Sequence, residues 1–243
     1  MPTYNPNRVE YGITTGNIQI VADGGKSTPA YWAHPNIGSL MPAVALVHDW
    51  WGITPSVRHL ANLFAQMGYY VVVPDLFDGR IAHTPQEAME LVRSLGAEGF
   101  PRIDAALSVL EKHNNTNSDV AAVGVGMGGS LAFEAAIVRD DLEAAVSFSG
   151  FPQRYFGRFK EANTPILAFY GKDEPHVPPA VIDQLRRELA SSPLGSKHQV
   201  IVVDDIAHDF FGDGISDRSP TREALSETFN FLDTYLQGPT RPK

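Results

Sequence analysis

A chain of 243 residues with 43% apolar residues can bury one large α/β core, and it has no apolar run long enough to span a membrane. Its formal net charge of -9 argues against nucleic acid and anionic membranes as partners. The absence of cysteine excludes disulfides, thiolate metal sites and a thiol nucleophile. The N-terminus, Met1 to Arg8, is polar and lacks the apolar stretch of a signal peptide, so the cytoplasm is the expected location.

Residues 8 to 34 read as β. Val9 to Ile13, Asn17 to Val21 and Pro29 to His34 alternate or run apolar, and Gly16 and Asp23-Gly24-Gly25 punctuate them as an antiparallel entry. Pro42 to Val47 is a continuous apolar strand of the kind covered on both faces, with His48-Asp49-Trp50-Trp51-Gly52 as its exit loop. Leu60, Leu63, Phe64 and Met67 place a helix over about Pro55 to Met67. Tyr69 to Val73 is a strand closed by Pro74-Asp75. Thr84-Pro85-Gln86-Glu87 caps a helix running to about Leu95, and another runs from about Pro101 to His113. Asn114 to Ser118 reads as a polar loop.

From Val120 an apolar strand runs into Gly124-Val125-Gly126-Met127-Gly128-Gly129-Ser130, and helix follows from Leu131 to Val138. Glu143 to Phe148 and Pro165 to Tyr170 are further strands around an irregular Ser149 to Asn163. Gly171 to Pro178 is a loop before a helix to about Ser191, Gln199 to Val203 is the last strand, and Asp204 to Ser219 is a long loop. Ser219-Pro220 opens a final helix with Phe229, Leu232, Tyr235 and Leu236 on its apolar face, and Gly238 to Lys243 is a tail. Strands alternating with helices predict a single α/β domain over 1–243, with a mainly parallel sheet and helices on both faces.

The glycine turn has two chemical readings. As G-x-G-x-x-G it uses Gly124, Gly126 and Gly129 and marks a dinucleotide site. As G-x-nucleophile-x-G it uses Gly124 and Gly128 and is a nucleophile elbow, with Gly126 where Ser or Cys would stand. A dinucleotide fingerprint normally opens its fold and needs an acid after the next strand. Here two βα units precede the turn, and the next strand ends Phe148-Ser149-Gly150. A third reading makes it a turn for close packing only.

Ligands in parallel α/β sheets sit beyond the carboxyl ends of the strands. Four exit loops carry notable residues there: His48 to Gly52, Gly126 with Met127, Asp173 to Val177, and His208 to Phe211. The last three follow the order nucleophile, acid, histidine. In that arrangement Asp173 orients His208, His208 takes a proton, and the backbone N–H groups of Trp50 and Met127 receive the oxyanion. Trp50 and Trp51 are expected in the pocket wall and His176 and His83 in solvent. Ser130 is expected to point into helix packing. Asp204, Asp205, Asp209 and Asp213 match no metal-binding loop, so no metal is expected.

On these segments the chain resembles the dienelactone hydrolase family over nearly its whole length. The matching stretches are Leu46 to Gly52, Gly68 to Phe77, Gly124 to Phe133, Gly171-Lys172-Asp173 and Ala207-His208-Asp209-Phe210. The resemblance implies an α/β-hydrolase fold, no cofactor, and a small-molecule ester, lactone or carboxylate as ligand, with the protein a monomer or small homo-oligomer. It carries Asp173 and His208 into the acid and base roles. It sets Asp49 where the family has a glutamate touching the nucleophile, and it places Asp49, Trp51, Arg80, Phe151 and Phe210 around the substrate. Three departures stand out: Gly126 at the nucleophile position, the shorter Asp49, and Gly212 where the type member has a carboxylate-binding arginine, leaving Arg80 as the expected cation. The resulting expectation is a hydrolase using a His208-activated water. The alternatives are a carboxylate-binding protein without turnover and, more distantly, a dinucleotide-dependent oxidoreductase. An elbow also predicts φ > 0 at residue 126, a conformation glycine adopts without strain.

Overall fold

Where an apolar run is continuous, both faces of the strand must be covered. The computed structural model, which describes residues 10–21, 25–212 and 219–237, covers them with helices on either side of one sheet. The entry hairpin pairs β1 (Ile13–Val21) antiparallel with β2 (Ser27–Pro35). The break expected at Gly16 is absent, and β1 runs through it from Ile13 to Val21; of the expected run Val9 to Ile13 only Ile13 belongs to it, with Glu10, Tyr11 and Gly12 outside any strand. Gly16 sits opposite Trp32, and a Cβ there would stand 2.7 Å from the indole Nε1, so this glycine makes room for a ring rather than breaking the strand. Residues 1–9, Asp23 and Gly24 of the expected entry lie outside the described residues.

The parallel part follows with β3 (Met41–Val47), β4 (Tyr70–Pro74), β5 (Thr116–Val125), β6 (Ala144–Phe148), β7 (Ile166–Gly171) and β8 (Gln199–Val203). Among the described residues the sheet has eight strands in the order β1-β2-β4-β3-β5-β6-β7-β8, with β2 antiparallel to β4 and β3 to β8 mutually parallel. The strand order therefore switches direction between β3 and β5, and a crevice opens beyond the carboxyl ends of those two strands.

Helices α1 (Pro55–Gln66) and α6 (Ser219–Tyr235) cover one face, with Phe64, Phe229 and Leu232 packed on Leu46, Phe148 and Phe169. Helices α2 (Pro85–Leu95), α3 (Gly99–Glu111), α4 (Met127–Val138) and α5 (Pro179–Ala190) cover the other, with Leu91, Ile103, Phe133 and Leu185 on Val47, Val72 and Tyr170. Thr54 and Thr84 cap α1 and α2 by accepting from the N–H groups of Val57 and Glu87, each ahead of a proline at the first helical position. Most of α4 is buried, because it lies beneath α3 and against β5 and β6. It begins at Met127, four residues before the expected start, so the elbow passes directly from strand to helix. β5 likewise begins at Thr116, inside the expected polar loop. There the Thr116 hydroxyl donates toward the carbonyls at the end of α3, Leu110 at 2.6 Å and His113 at 2.8 Å. No helix among the described residues is long and apolar enough to cross a membrane.

Candidate active site

At the end of β5 the chain must turn into α4 within one residue, and that residue, Gly126, has φ 53° and ψ -115°. Its neighbouring glycines have a different reason to be there. A Cβ on Gly124 would lie 2.1 Å from the carbonyl oxygen of Gly128, one on Gly128 2.3 Å from that of Val47, and one on Gly129 2.7 Å from Ser147 Oγ. They let α4 rest on β3, β5 and β6. Gly126 has room: its Cβ would meet nothing nearer than Asp49 Cβ at 3.5 Å and His208 Nε2 at 3.7 Å. Close packing therefore accounts for three of the four glycines and not for Gly126.

His208 lies on the loop after β8. Its Nδ1 hydrogen bonds to the carboxylate of Glu174, at 2.9 Å from Oε1 and 2.8 Å from Oε2. A carboxylate can only accept, so Nδ1 carries the proton and Nε2, turned to Gly126, is left as the basic nitrogen. Glu174 is buried on the loop after β7, and its Oε1 also accepts from the His176 N–H at 2.8 Å. Burial pushes its pKa up. The hydrogen bonds from His208 and from the His176 backbone outweigh that and hold it below the ordinary glutamate value. The Ser149 hydroxyl donates to the His208 carbonyl at 2.8 Å, and the His176 ring stands edge-on to the imidazole at 4.9 Å, so the histidine is fixed from several sides.

Asp49 approaches from the opposite side, on the β3 exit loop. Its Oδ1 accepts from the Trp51 N–H at 2.9 Å. Burial, then the nearby Asp209 charge, raise its pKa to about 6 against the pull of the Trp51 hydrogen bond and of His208. The loop is pinned by His48, a fully buried ring. Its Nε2 accepts from the Leu76 N–H at 3.1 Å, so its Nδ1 must carry the proton donated to the Asp49 carbonyl at 2.6 Å. Burial lowers the His48 pKa, keeping it the neutral strut between the exits of β3 and β4.

These groups face one cavity of about 430 Å³, walled by Trp50, Trp51, Val92, Val125, Met127 and Phe151, with Asp49, Asp209, Ser130, His176 and His208 as its polar members. Met127 is the first residue of α4, so its N–H has no acceptor within the helix, and Trp50 lines the same cavity from the β3 loop. Among the described residues no group of three or more His, Asp or Glu side chains is placed to hold a metal ion.

The dienelactone hydrolase family profile matches residues 28–236, across the sheet, the elbow and the histidine loop. The chain belongs to the dienelactone hydrolase family. It is 26% identical over 209 residues to the carboxymethylenebutenolidase of Rhodococcus opacus, covering 79% of this chain and 81% of that one. It is 24% identical over 224 residues to protein usf of Aquifex pyrophilus, covering 87% and 95%. The crystal structure of dienelactone hydrolase from Anabaena variabilis superposes with a TM-score of 0.70 at 19% identity, covering 93% of this chain and 99% of that one. This likeness shows a shared α/β-hydrolase fold.

The structure brings Gly126, His208, Asp49, Trp50, Trp51, Met127 and Phe151 to one cavity. It corrects four placements. The acid on His208 is Glu174 and not Asp173, which points to solvent while its backbone N–H is held by the Ile206 carbonyl at 3.3 Å. Phe210 does not line the cavity. It is buried against Phe148 and Phe169 under the sheet, while His208 and Asp209 before it both face the cavity and a turn closed by the Phe211 N–H on Asp209 Oδ1 carries the chain away. Arg80 is exposed and turns its Nε back on the Phe77 carbonyl at 3.0 Å, and it is not among the lining residues. Ser130 is not lost in helix packing; it lines the cavity, its Oγ accepting from the Phe151 N–H at 2.8 Å. Asp213, one of the acids weighed for a metal, lies outside the described residues.

Proposed function

We propose that the protein hydrolyses carboxylic esters or lactones of small molecules with a water in place of the family's side-chain nucleophile. The observation that carries this reading is the free space at residue 126, 3.7 Å from the His208 Nε2 that the Glu174 pairing leaves unprotonated. A polar gap of about 30 Å³ holds one water. The water oxygen attacks the ester carbonyl carbon as its proton passes to Nε2. The carbonyl oxygen takes the electron pair and is received by the N–H groups of Trp50 and Met127. When the tetrahedral intermediate collapses, the C–O bond to the leaving group breaks and the imidazolium returns its proton to the departing alkoxide. The products are the acid and the alcohol, and no covalent enzyme intermediate forms. Names among the relatives, carboxymethylenebutenolidase above all, favour a lactone or ester as the bond cleaved.

A screen of aryl esters and small lactones against the parent and His208→Ala tests the reading. Turnover that disappears with His208 and shows no burst and no adduct by mass spectrometry supports it. Turnover equal in both proteins, or a trapped acyl group, rejects it. Gly126 itself favours a second reading, a protein that binds small molecules without turning them over, because losing a nucleophile costs such a triad on the order of 10⁶ in kcat. Hydrolysis absent from the parent, with ligand-dependent rises in Tm retained, distinguishes that reading.

A further inference from the structure

The family resemblance led to the expectation of a carboxylate ligand and a cation to receive it, yet the cavity wall carries the opposite charge. Among the described residues no Lys or Arg lines it, whereas Asp49 and Asp209 both do. The two carboxylates are close enough for Asp209 to disfavour ionisation of Asp49. Around them stand the faces and edges of three aromatic side chains. Trp50 and Trp51 meet edge-on at 5.1 Å, and Phe151, among the more exposed large apolar residues, lies 5.7 Å from the His208 ring. Asp49, Asp209, Trp51 and Val125 also line a second cavity of about 700 Å³, so the carboxylates sit where the two spaces meet, one step away from Gly126. Aromatic rings with carboxylates beside them attract a cation through ring quadrupoles and direct charge. An anion in the same place would be repelled by both acids and by Glu174 behind His208.

We propose that this cavity selects ligands bearing an ammonium group, and that its substrates, on the ester-hydrolase reading above, are esters of ammonium-bearing alcohols. The ester would lie at Gly126 with the ammonium between Trp51 and the two aspartates. Affinity should rise with pH from 5 to about 7.5 as Asp49 loses its proton. The other titratable groups facing the cavity among the described residues are His176, His208 and Asp209.

The test is calorimetric titration of the full chain at pH 7.5 with choline, with its uncharged tert-butyl isostere, and with succinate. The parent should bind choline about tenfold more tightly than the isostere and should show no heat with succinate. Asp209→Asn should cut the choline preference severalfold while leaving the isostere unchanged. An asparagine can still accept the Phe211 N–H that Asp209 receives at 2.9 Å, so the turn is kept. Trp51→Ala should weaken choline more than the isostere. Equal binding of choline and isostere, or preferred binding of succinate, overturns the proposal. Parallel assays with acetylcholine and the acetate of the isostere separate the two readings. Choline preference without hydrolysis leaves the binding inference standing and removes the ester reading. Hydrolysis without choline preference does the reverse.

Discussion

A side chain at residue 126 would point into open space between Asp49 and His208 with its backbone at φ 53°, so substitution there meets no steric obstacle and a conformational one. Gly126→Ser should lower stability by about 1–2 kcal/mol, the cost of left-handed backbone for an ordinary residue, while aryl-ester hydrolysis rises above that of the parent. Urea denaturation and an esterase assay on the same preparation measure both, and a variant as stable as the parent and still inert counts against the elbow. The acid can be checked in the same way. Glu174→Gln should reduce hydrolysis by about 10²–10⁴-fold, because an amide can present an N–H to Nδ1 and favour the wrong tautomer, and Asp173→Asn should leave it within twofold. Asp49 makes a prediction about pH. Its folded-state pKa of about 6 lies above the unfolded value of about 4, so the folded state binds the extra proton and stability falls as pH rises through that interval. Asp49→Asn should match the parent near pH 4 and exceed it by about 2–3 kcal/mol above pH 6.5, read from urea midpoints. Glu174, shifted downward, contributes with the opposite sign, and its stabilisation is lost as pH falls below the ordinary glutamate range.

At the scale of elements, α3 and α4 are tied by one buried cation. Arg139, just past α4, forks onto Asp141 at 2.8 and 2.7 Å and reaches the Asp104 carboxylate at 2.6 Å and Ser108 Oγ at 3.1 Å, both on α3. Arg139→Ala should cost about 2 kcal/mol, since the acids it leaves are partly exposed and can rehydrate, and Arg139→Lys should recover only part because it lacks the fork. Ligand binding at the cavity should persist in both. This tie was not visible in the sequence: it joins residues far apart in the chain and has no periodicity. The strands β3, β4, β6 and β7 were legible because burial on both faces writes an unbroken apolar run. The tight turn from β5 into α4 was legible because its glycines are crowded in a fixed spacing. The choice between Asp173 and Glu174 was not, because adjacent carboxylates on one turn satisfy the same chain order. Only the path of the loop, with Asp173 N–H bound to Ile206 and the Glu174 side chain turned inward, decides which one meets the histidine. Phe210 was misplaced for a related reason, since an extended reading of His208-Asp209-Phe210 sets Phe210 on the side of His208, and nothing in those residues states that the chain turns between them.

Across the whole molecule the formal charge of -9 adds to the local acids at the cavity mouth. A field of that sign lowers the local concentration of anions and raises that of cations, and salt screens it over a Debye length of about 8–10 Å. Raising NaCl from 20 to 300 mM should therefore weaken binding of a cationic ligand and relieve exclusion of an anionic one, while an uncharged analogue responds little. Titrations at the two salt concentrations check this, and a salt-independent ranking of the three ligands would mean that long-range charge has no part in selection.

The spare room at Gly126 also has a meaning in genetic distance. A glycine codon ending in a pyrimidine is one base from a serine codon and one base from a cysteine codon. The cavity, the histidine with its glutamate and the elbow backbone all stand in place around that single position. Where codon 126 ends in a pyrimidine, a serine or cysteine at this position is thus one point mutation away, opposed mainly by about 1–2 kcal/mol of backbone strain. A population under selection for faster ester cleavage should find serine or cysteine at codon 126 before it finds any other improvement. A population that never does so, despite that short path, is one in which a nucleophile at this site is harmful.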